Sequence, residues 1–256
     1  MHSTFVSLVV FVGLFVILIA GDFALFSFYN IKPGVVYPAL SLVLSYLSIE
    51  AYRNFVVEKK SRYLKKAFST YVSSQLVSEL LRDPGSLKLG GEKREVTLLF
   101  SDIRGFTTLS EKLPPEELVR LLNEYLNPMT AIVLNEEGML DKYIGDAIMA
   151  VFNAPVPIED HPAKACNAAL MMMAKLVELN SVWRERGSPV LDIGIGINTG
   201  EAVVGNMGAE LRFDYTAIGD TVNLASRLEG LNKFYGTNII VSENTYEHIK
   251  ERFLFR

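Results

Sequence analysis

The sequence is poor in the residues that most often build chemical sites. It holds one cysteine, three histidines and one tryptophan in 256 residues. A single thiol excludes an internal disulfide framework and a Cys-rich zinc centre. Cys166 falls in the helical run Ala163–Glu185, where a small buried thiol is its expected role. His2, His161 and His248 are scattered, with no histidine cluster and no Ser/His/Asp arrangement. Hydrolase and zinc readings are therefore dropped. Charge of one sign is also scarce: 25 Lys and Arg stand against 29 Asp and Glu. Without a basic field, nucleic acid is not an expected partner. No internal repeat or low-complexity tract is visible.

Apolar residues are plentiful, and their excess lies at the front. Ser3–Gly21 carries no charge and is rich in Val, Leu, Ile and Phe, and Pro33–Ile49 is a second uncharged stretch. Each approaches the roughly 17–25 residues needed to cross a bilayer. A cleaved signal peptide is the competing reading of the first stretch, but no basic n-region precedes it. A re-entrant segment competes for the second, which contains Pro38. Two transmembrane helices are expected, making residues 1–50 a membrane anchor. The connecting loop is read as holding Asp22 and Lys32, whereas Arg53, Lys59, Lys60, Arg62, Lys65 and Lys66 follow the second stretch. The positive-inside rule then predicts a multi-pass protein of the cell membrane with everything after residue 50 in the cytoplasm.

Residues 51–91 read as a juxtamembrane helix and linker. The helix Glu50–Arg82 places Leu64, Phe68, Leu76 and Leu80 on one approximate stripe. That stripe fits packing on the chain's own domain or a short parallel pairing with a second chain. Asp83-Pro84-Gly85-Ser86 breaks it. Residues 92–256 then alternate strands and helices. Val96–Phe100 is a predicted strand. Pro114-Pro115 opens a helix that Pro128 should kink or interrupt. Met139–Ile144 and Ala147–Phe152 flank a Gly145-Asp146 hairpin turn. Ala163–Glu185 is a helix ended by Gly187, with Met171-Met172-Met173 as core filler. Leu191–Asn198, Ala202–Val204 and Tyr215–Ile218 are strands, Asp220 caps a helix through Leu231, Asn238–Val241 is a strand, and Ser242 caps a last helix. The expected fold is α+β with a mostly antiparallel sheet.

Two aspartates stand at the tips of buried strands: Asp102 after Val96–Ser101, and Asp146 in the hairpin turn. Asp is common where strands end. Brought side by side, however, the two would make a pocket for a hard divalent cation, with positions left for phosphate oxygens. Asn223 and Arg227 lie four apart, so they project from one helix face. They suit a ribose phosphate, or are an ordinary surface pair.

Three motifs occur in order: Phe100-Ser101-Asp102-Ile103-Arg104-Gly105-Phe106-Thr107, Gly145-Asp146-Ala147-Ile148-Met149, and Ile218-Gly219-Asp220-Thr221-Val222-Asn223-Leu224-Ala225-Ser226-Arg227-Leu228-Glu229. Together they resemble the class III nucleotidyl cyclases, over about Glu92 to Arg256. The resemblance implies a ferredoxin-like core and an intracellular signalling reaction. In it, the ribose 3′-hydroxyl of a nucleoside triphosphate attacks the α-phosphate to give a cyclic nucleotide and pyrophosphate. It implies two Mg²⁺ ions per site (Mn²⁺ as a substitute) on Asp102, Asp146 and the Ile103 carbonyl. The Phe106 and Thr107 amides would meet phosphate oxygens, Arg227 would stabilise charge on the α-phosphate, and Asn223 would orient the ribose. Lys142 stands where adenylate cyclases of the family place an adenine-reading lysine. Thr216 matches the bacterial subgroup called class IIIb. ATP is the substrate implied, giving cyclic AMP. In this family the metal aspartates and the Asn/Arg pair meet across a dimer, so a homodimer with two composite sites is expected.

Departures exist. Gly194 occupies a position where some members carry a phosphate-binding Arg, and a Val-Lys-Gly-Lys-like segment on further strands is absent, so the catalytic domain is read as C-terminally truncated. The rival readings are a catalytically silent cyclase-like module, a guanylate cyclase and a diguanylate cyclase. The first would have lost Asp102, Asp146, Asn223 or Arg227, and all four are present. A guanylate cyclase would usually carry Glu in place of Lys142. The last needs a Gly-Gly-Asp/Glu-Glu-Phe turn where this chain has Ile144-Gly145-Asp146-Ala147-Ile148.

Overall fold

The structure, a computed structural model, describes residues 2–29, 34–52 and 89–256. The chain divides into two units, residues 1–71 and 72–256. Most of the expected juxtamembrane helix and linker lies outside the described residues.

In the first unit, helix α1 (His2–Tyr29) and helix α2 (Val36–Tyr52) pack against each other in antiparallel sense. The Phe11 and Tyr46 rings stack at 4.6 Å, and the Ser7 hydroxyl donates to the Glu50 carboxylate at 3.0 Å. Most of the large apolar side chains on both helices are exposed, including Val9, Ile17, Phe23, Leu40 and Leu47. Among the described residues one helix, Ser7–Phe28 with 22 residues, is long and apolar enough to cross a membrane. The α2 helix is described over 17 residues and is not counted with it, so of the two expected spans the described residues show one. Asp22 sits inside α1 and not in the connecting loop, because the apolar residues Phe23, Ala24, Leu25, Phe26 and Phe28 carry the helix onward.

The second unit holds a six-stranded sheet in the order β2-β3-β1-β4-β5, with β6 paired to β4. Its strands are β1 (Gly90–Ile103), β2 (Met139–Ile144), β3 (Ala147–Phe152), β4 (Ile193–Ala209), β5 (Arg212–Ile218) and β6 (Ile239–Val241). All pairs are antiparallel except β4 with β6. The strand expected at Val96–Phe100 extends to both sides, because β1 runs alongside β4 from Gly90↔Asn206 to Ile103↔Ile193. The same pairing merges the two strands expected at Leu191–Asn198 and Ala202–Val204 into one. Thr199, Gly200 and Glu201 pair with Thr97, Val96 and Glu95, and the buried hydroxyls of Thr97 and Thr199 meet at 2.8 Å.

Side chains alternate across β1, and both faces are covered. On one face Leu99 and Ile103 pack with helix α4 (Pro115–Asn135) and helix α5 (His161–Glu185). On the other, Val96, Leu98 and Phe100 join Met139 of β2, Ala217 of β5 and Ala225 of helix α6 (Asp220–Tyr235). The α6 backbone sits on Gly196: a Cβ there would meet the Glu229 nitrogen at 2.2 Å and the Ala225 oxygen at 2.3 Å. This core brings β2 and β5 together over that face, although they end the strand order.

Three local expectations change. Pro128 does not interrupt α4. Buried Met129, Ile132 and Val133 hold the following turns, and the Glu124 carboxylate takes bonds from Trp183 Nε1 and Arg186 Nη2, each at 2.7 Å. Those contacts outweigh the one backbone bond that proline removes. At the start of α6 Gly219 is the cap, Asp220 is the first helical residue with no side-chain cap bond, and the helix runs on to Tyr235. Of the three adjacent methionines only Met172 is fully buried; Met171 is exposed and Met173 packs at the core's edge. Elsewhere the reading matches: Ser242 caps helix α7 (Glu243–Ile249) by accepting the Thr245 N–H at 3.2 Å, and Cys166 is buried, its thiol pushed up to about 12.

Candidate active site

The site begins at the end of β1. Asp102 shares the α6 face of the sheet with Phe100, and Ile103 turns back to the other core. The Gly145-Asp146 turn joins β2 to β3, with Gly145 at φ 67°, the left-handed conformation a glycine adopts freely. Because β3 pairs directly with β1, the turn delivers Asp146 beside Asp102. The Ile103 N–H donates to Asp102 Oδ1 at 2.9 Å and lies 3.3 Å from Asp146 Oδ2, so both carboxylates converge on one amide.

That convergence has an electrostatic consequence. Burial first, and then the adjacent Asp102 carboxylate, push the Asp146 carboxyl up to about 6, against the pull of nearby backbone N–H groups. Two crowded oxygen anions fit a hard cation, which removes their repulsion. No third His, Cys, Asp or Glu completes a metal-holding group with them among the described residues. Helix α3 (Phe106–Lys112) follows at once, capped by Gly105 at φ 70°. The Phe106 and Thr107 N–H groups belong to its first turn, which leaves such donors without helical partners.

Sequence reasoning did not single out Glu229. It lies on the sheet-facing side of α6, with its Oε1 where a Gly194 side chain would be: a Cβ there would stand 2.5 Å away. Gly194 pairs with Asp102 across β1 and β4. Burial first, and then the Asp102 charge, push the Glu229 carboxyl up to about 7, with Arg104 opposing. Its only signal was its place in the third motif.

Asn223 and Arg227 project from the opposite side of the same helix. Both are exposed, and neither side chain has a hydrogen bond or ion pair among the described residues. One chain therefore presents its aspartates beneath α6 and its Asn/Arg pair outward from it.

Lys142 and Thr216 are brought together, though they belong to the strands that end the sheet. The link is Asp141, a second residue not foreseen from the sequence. The Thr216 hydroxyl donates to Asp141 Oδ2 at 2.5 Å, and Lys142 Nζ stands 3.5 Å from Asp141 Oδ1. Burial pushes the Asp141 carboxyl up; the Thr216 hydroxyl, Lys142 and the Ala217 N–H pull it back.

The adenylate and guanylate cyclase catalytic domain model matches residues 91–256. Adenylate cyclase 1 of Rhizobium meliloti (strain 1021) is 42% identical over 192 residues, 74% of this chain and 28% of that protein. The chain thus spans under a third of that relative's length. Among solved structures, the adenylyl cyclase CyaB from P. aeruginosa is 41% identical with a TM-score of 0.61, covering 66% of this chain and 86% of that one. The guanylyl cyclase Cya2 is also 41% identical, with a TM-score of 0.58, covering 62% and 80%. The chain belongs to the class III adenylate and guanylate cyclase family, and its second unit carries that family's catalytic domain.

Proposed function

We propose that the chain is an adenylate cyclase that converts ATP to 3′,5′-cyclic AMP and pyrophosphate. The observation that carries this reading is the pairing of Lys142 with Thr216 in a chain whose Asp102 and Asp146 converge on one amide. Overall identity does not discriminate, since an adenylyl and a guanylyl cyclase are equally similar. A lysine can only donate, which suits the ring nitrogen acceptors of adenine.

Asp102 and Asp146, with the Ile103 carbonyl, would hold Mg²⁺. When bound, the ions lower the pKa of the ribose 3′-hydroxyl and neutralise the triphosphate. The Phe106 and Thr107 amides receive phosphate oxygens, as free donors at a helix start do. Asn223 positions the ribose, and Arg227 offsets charge growing on the α-phosphate, a role worth about 10³–10⁵ in rate in related phosphoryl chemistry.

The outward direction of Asn223 and Arg227 supports a head-to-tail homodimer, in which each α6 offers its pair to the partner's aspartates. The exposed apolar helix Ser7–Phe28 supports membrane anchoring. With α2 as a second, short span, the basic residues Arg53–Lys66 would keep the catalytic unit on the cytoplasmic side.

Turnover of ATP and GTP with Mg²⁺ or Mn²⁺ tests the reading. Cyclic AMP should form in preference to cyclic GMP. Lack of cyclic AMP with either metal would refute it, and preferred cyclic GMP would make the chain a guanylate cyclase.

A further inference from the structure

Asp141 sits in a β-bulge. The β2–β3 register runs Leu140↔Ala150 and then Lys142↔Met149, so Asp141 is an extra residue without a partner in β3. In a regular strand, neighbours point to opposite faces. The bulge breaks that alternation and turns the Asp141 carboxylate toward both Lys142 and Thr216. The carboxylate side chain is fully buried, whereas the Lys142 side chain is 39% exposed. Among the described residues Asp141 Oδ1 has no hydrogen-bond partner, leaving the lysine ammonium as its nearest compensating group.

We infer that Asp141 is a specificity-positioning residue, one that fixes the Thr216 hydroxyl as a hydrogen-bond acceptor toward the base and steers Lys142 beside it. This inference rests on the reading of Lys142 and Thr216 as the base-recognising pair. A hydroxyl has one proton. Here that proton is committed to Asp141 Oδ2 at 2.5 Å. Only lone pairs of Thr216 Oγ1 are then left for a ligand. The pair consequently offers one donor, the ammonium, and one acceptor, the hydroxyl oxygen.

Adenine presents the complementary pattern: its ring N1 accepts and its 6-amine donates. Guanine presents the reverse, with an N1–H that faces the ammonium and an O6 that faces the hydroxyl lone pairs. Threonine alone could satisfy either base by rotating its proton. Asp141 removes that freedom, so the discrimination attributed to Thr216 depends on a carboxylate that does not itself touch the nucleotide.

The test compares kcat/KM and competition binding for ATP, GTP and purine riboside triphosphate, which keeps N1 but lacks the 6-amine. It uses the unaltered chain, Asp141→Asn, Thr216→Val and the double variant. Asp141→Asn should lower the ATP-to-GTP ratio by about tenfold, the scale of one hydrogen bond to a charged group. Thr216→Val should lower it similarly, and the double variant should lose less than the product of the two single effects, because Asp141 acts in part through Thr216. The unaltered chain should prefer ATP over the 6-amine-lacking analogue by about the same factor, a measurement that needs no variant to fold. If Thr216→Val lowers the ratio and Asp141→Asn does not, the role of Asp141 is overturned and the base-reading pair stands. If Lys142→Glu and Thr216→Val both leave the ratio unchanged, the base-reading pair itself fails and the inference falls with it. Equal acceptance of ATP and the analogue would also overturn it.

Discussion

Asp146 and Glu229 carry the clearest pH signature at the scale of single residues. Ordinary values for the two groups are 3.8 and 4.5, and burial beside other carboxylates raises them to about 6 and about 7. Between those limits the folded protein binds more protons than the unfolded chain. Stability of the metal-free protein should therefore fall as pH rises from about 4 to about 7, with these two groups adding no further loss above that. Thermal midpoints recorded in chelator across this range would read it. Glu229→Gln should flatten the upper half of the slope and raise the midpoint at about pH 8, where the ionised carboxylate is most costly. A slope identical to that of the unaltered protein would remove Glu229 as its source. Asp102 and Asp146 were legible in the sequence because each ends an apolar run inside a long motif. Asp141 was not, because its role depends on a register shift and on a threonine 75 positions away.

At the scale of elements, α6 is held by absence of side chain. Gly196→Val would drive a Cβ into the Glu229 and Ala225 backbone at 2.2 and 2.3 Å. Overpacking typically costs about 1–3 kcal/mol, and here the obstacle is backbone, so the helix must lift. A lowered thermal midpoint with lost turnover is expected, although Asn223 and Arg227 remain in place; wild-type turnover would show that α6 tolerates displacement. Ser242→Ala is a milder test at α7: losing the bond to the Thr245 N–H should cost about 1 kcal/mol in denaturant unfolding. Caps and hairpins of this kind were readable locally, as Gly145-Asp146 and Ser242 show. Pro128 and the merged β4 were not. A proline's effect depends on what holds the turns around it, and strand length depends on the neighbour alongside.

For the whole molecule the decisive question is whether two chains share a site. An Asp102→Ala chain and an Arg227→Ala chain should each be inactive. Mixed, they should regain activity, because half of the sites in a mixed dimer combine an intact aspartate pair with an intact Asn/Arg pair. Failure to regain turnover while mixed dimers form would reject the composite site. If the apolar helix Ser7–Phe28 anchors each chain, it bears on the same event, since confining two chains to a bilayer would raise their effective concentration for pairing.

The sequence by itself determined the family, the α+β class, the apolar front and the identity of the metal and phosphate candidates. These follow from local periodicity and from contiguous motifs. The tertiary structure alone decided that Asn223 and Arg227 face away from their own aspartates, that Glu229 fills the space over Gly194, and that Asp141 joins Lys142 to Thr216. Each of those depends on which face of a helix meets the sheet, or on a curled sheet bringing its ends together. Such relations are set by packing between distant segments, and no local pattern encodes them.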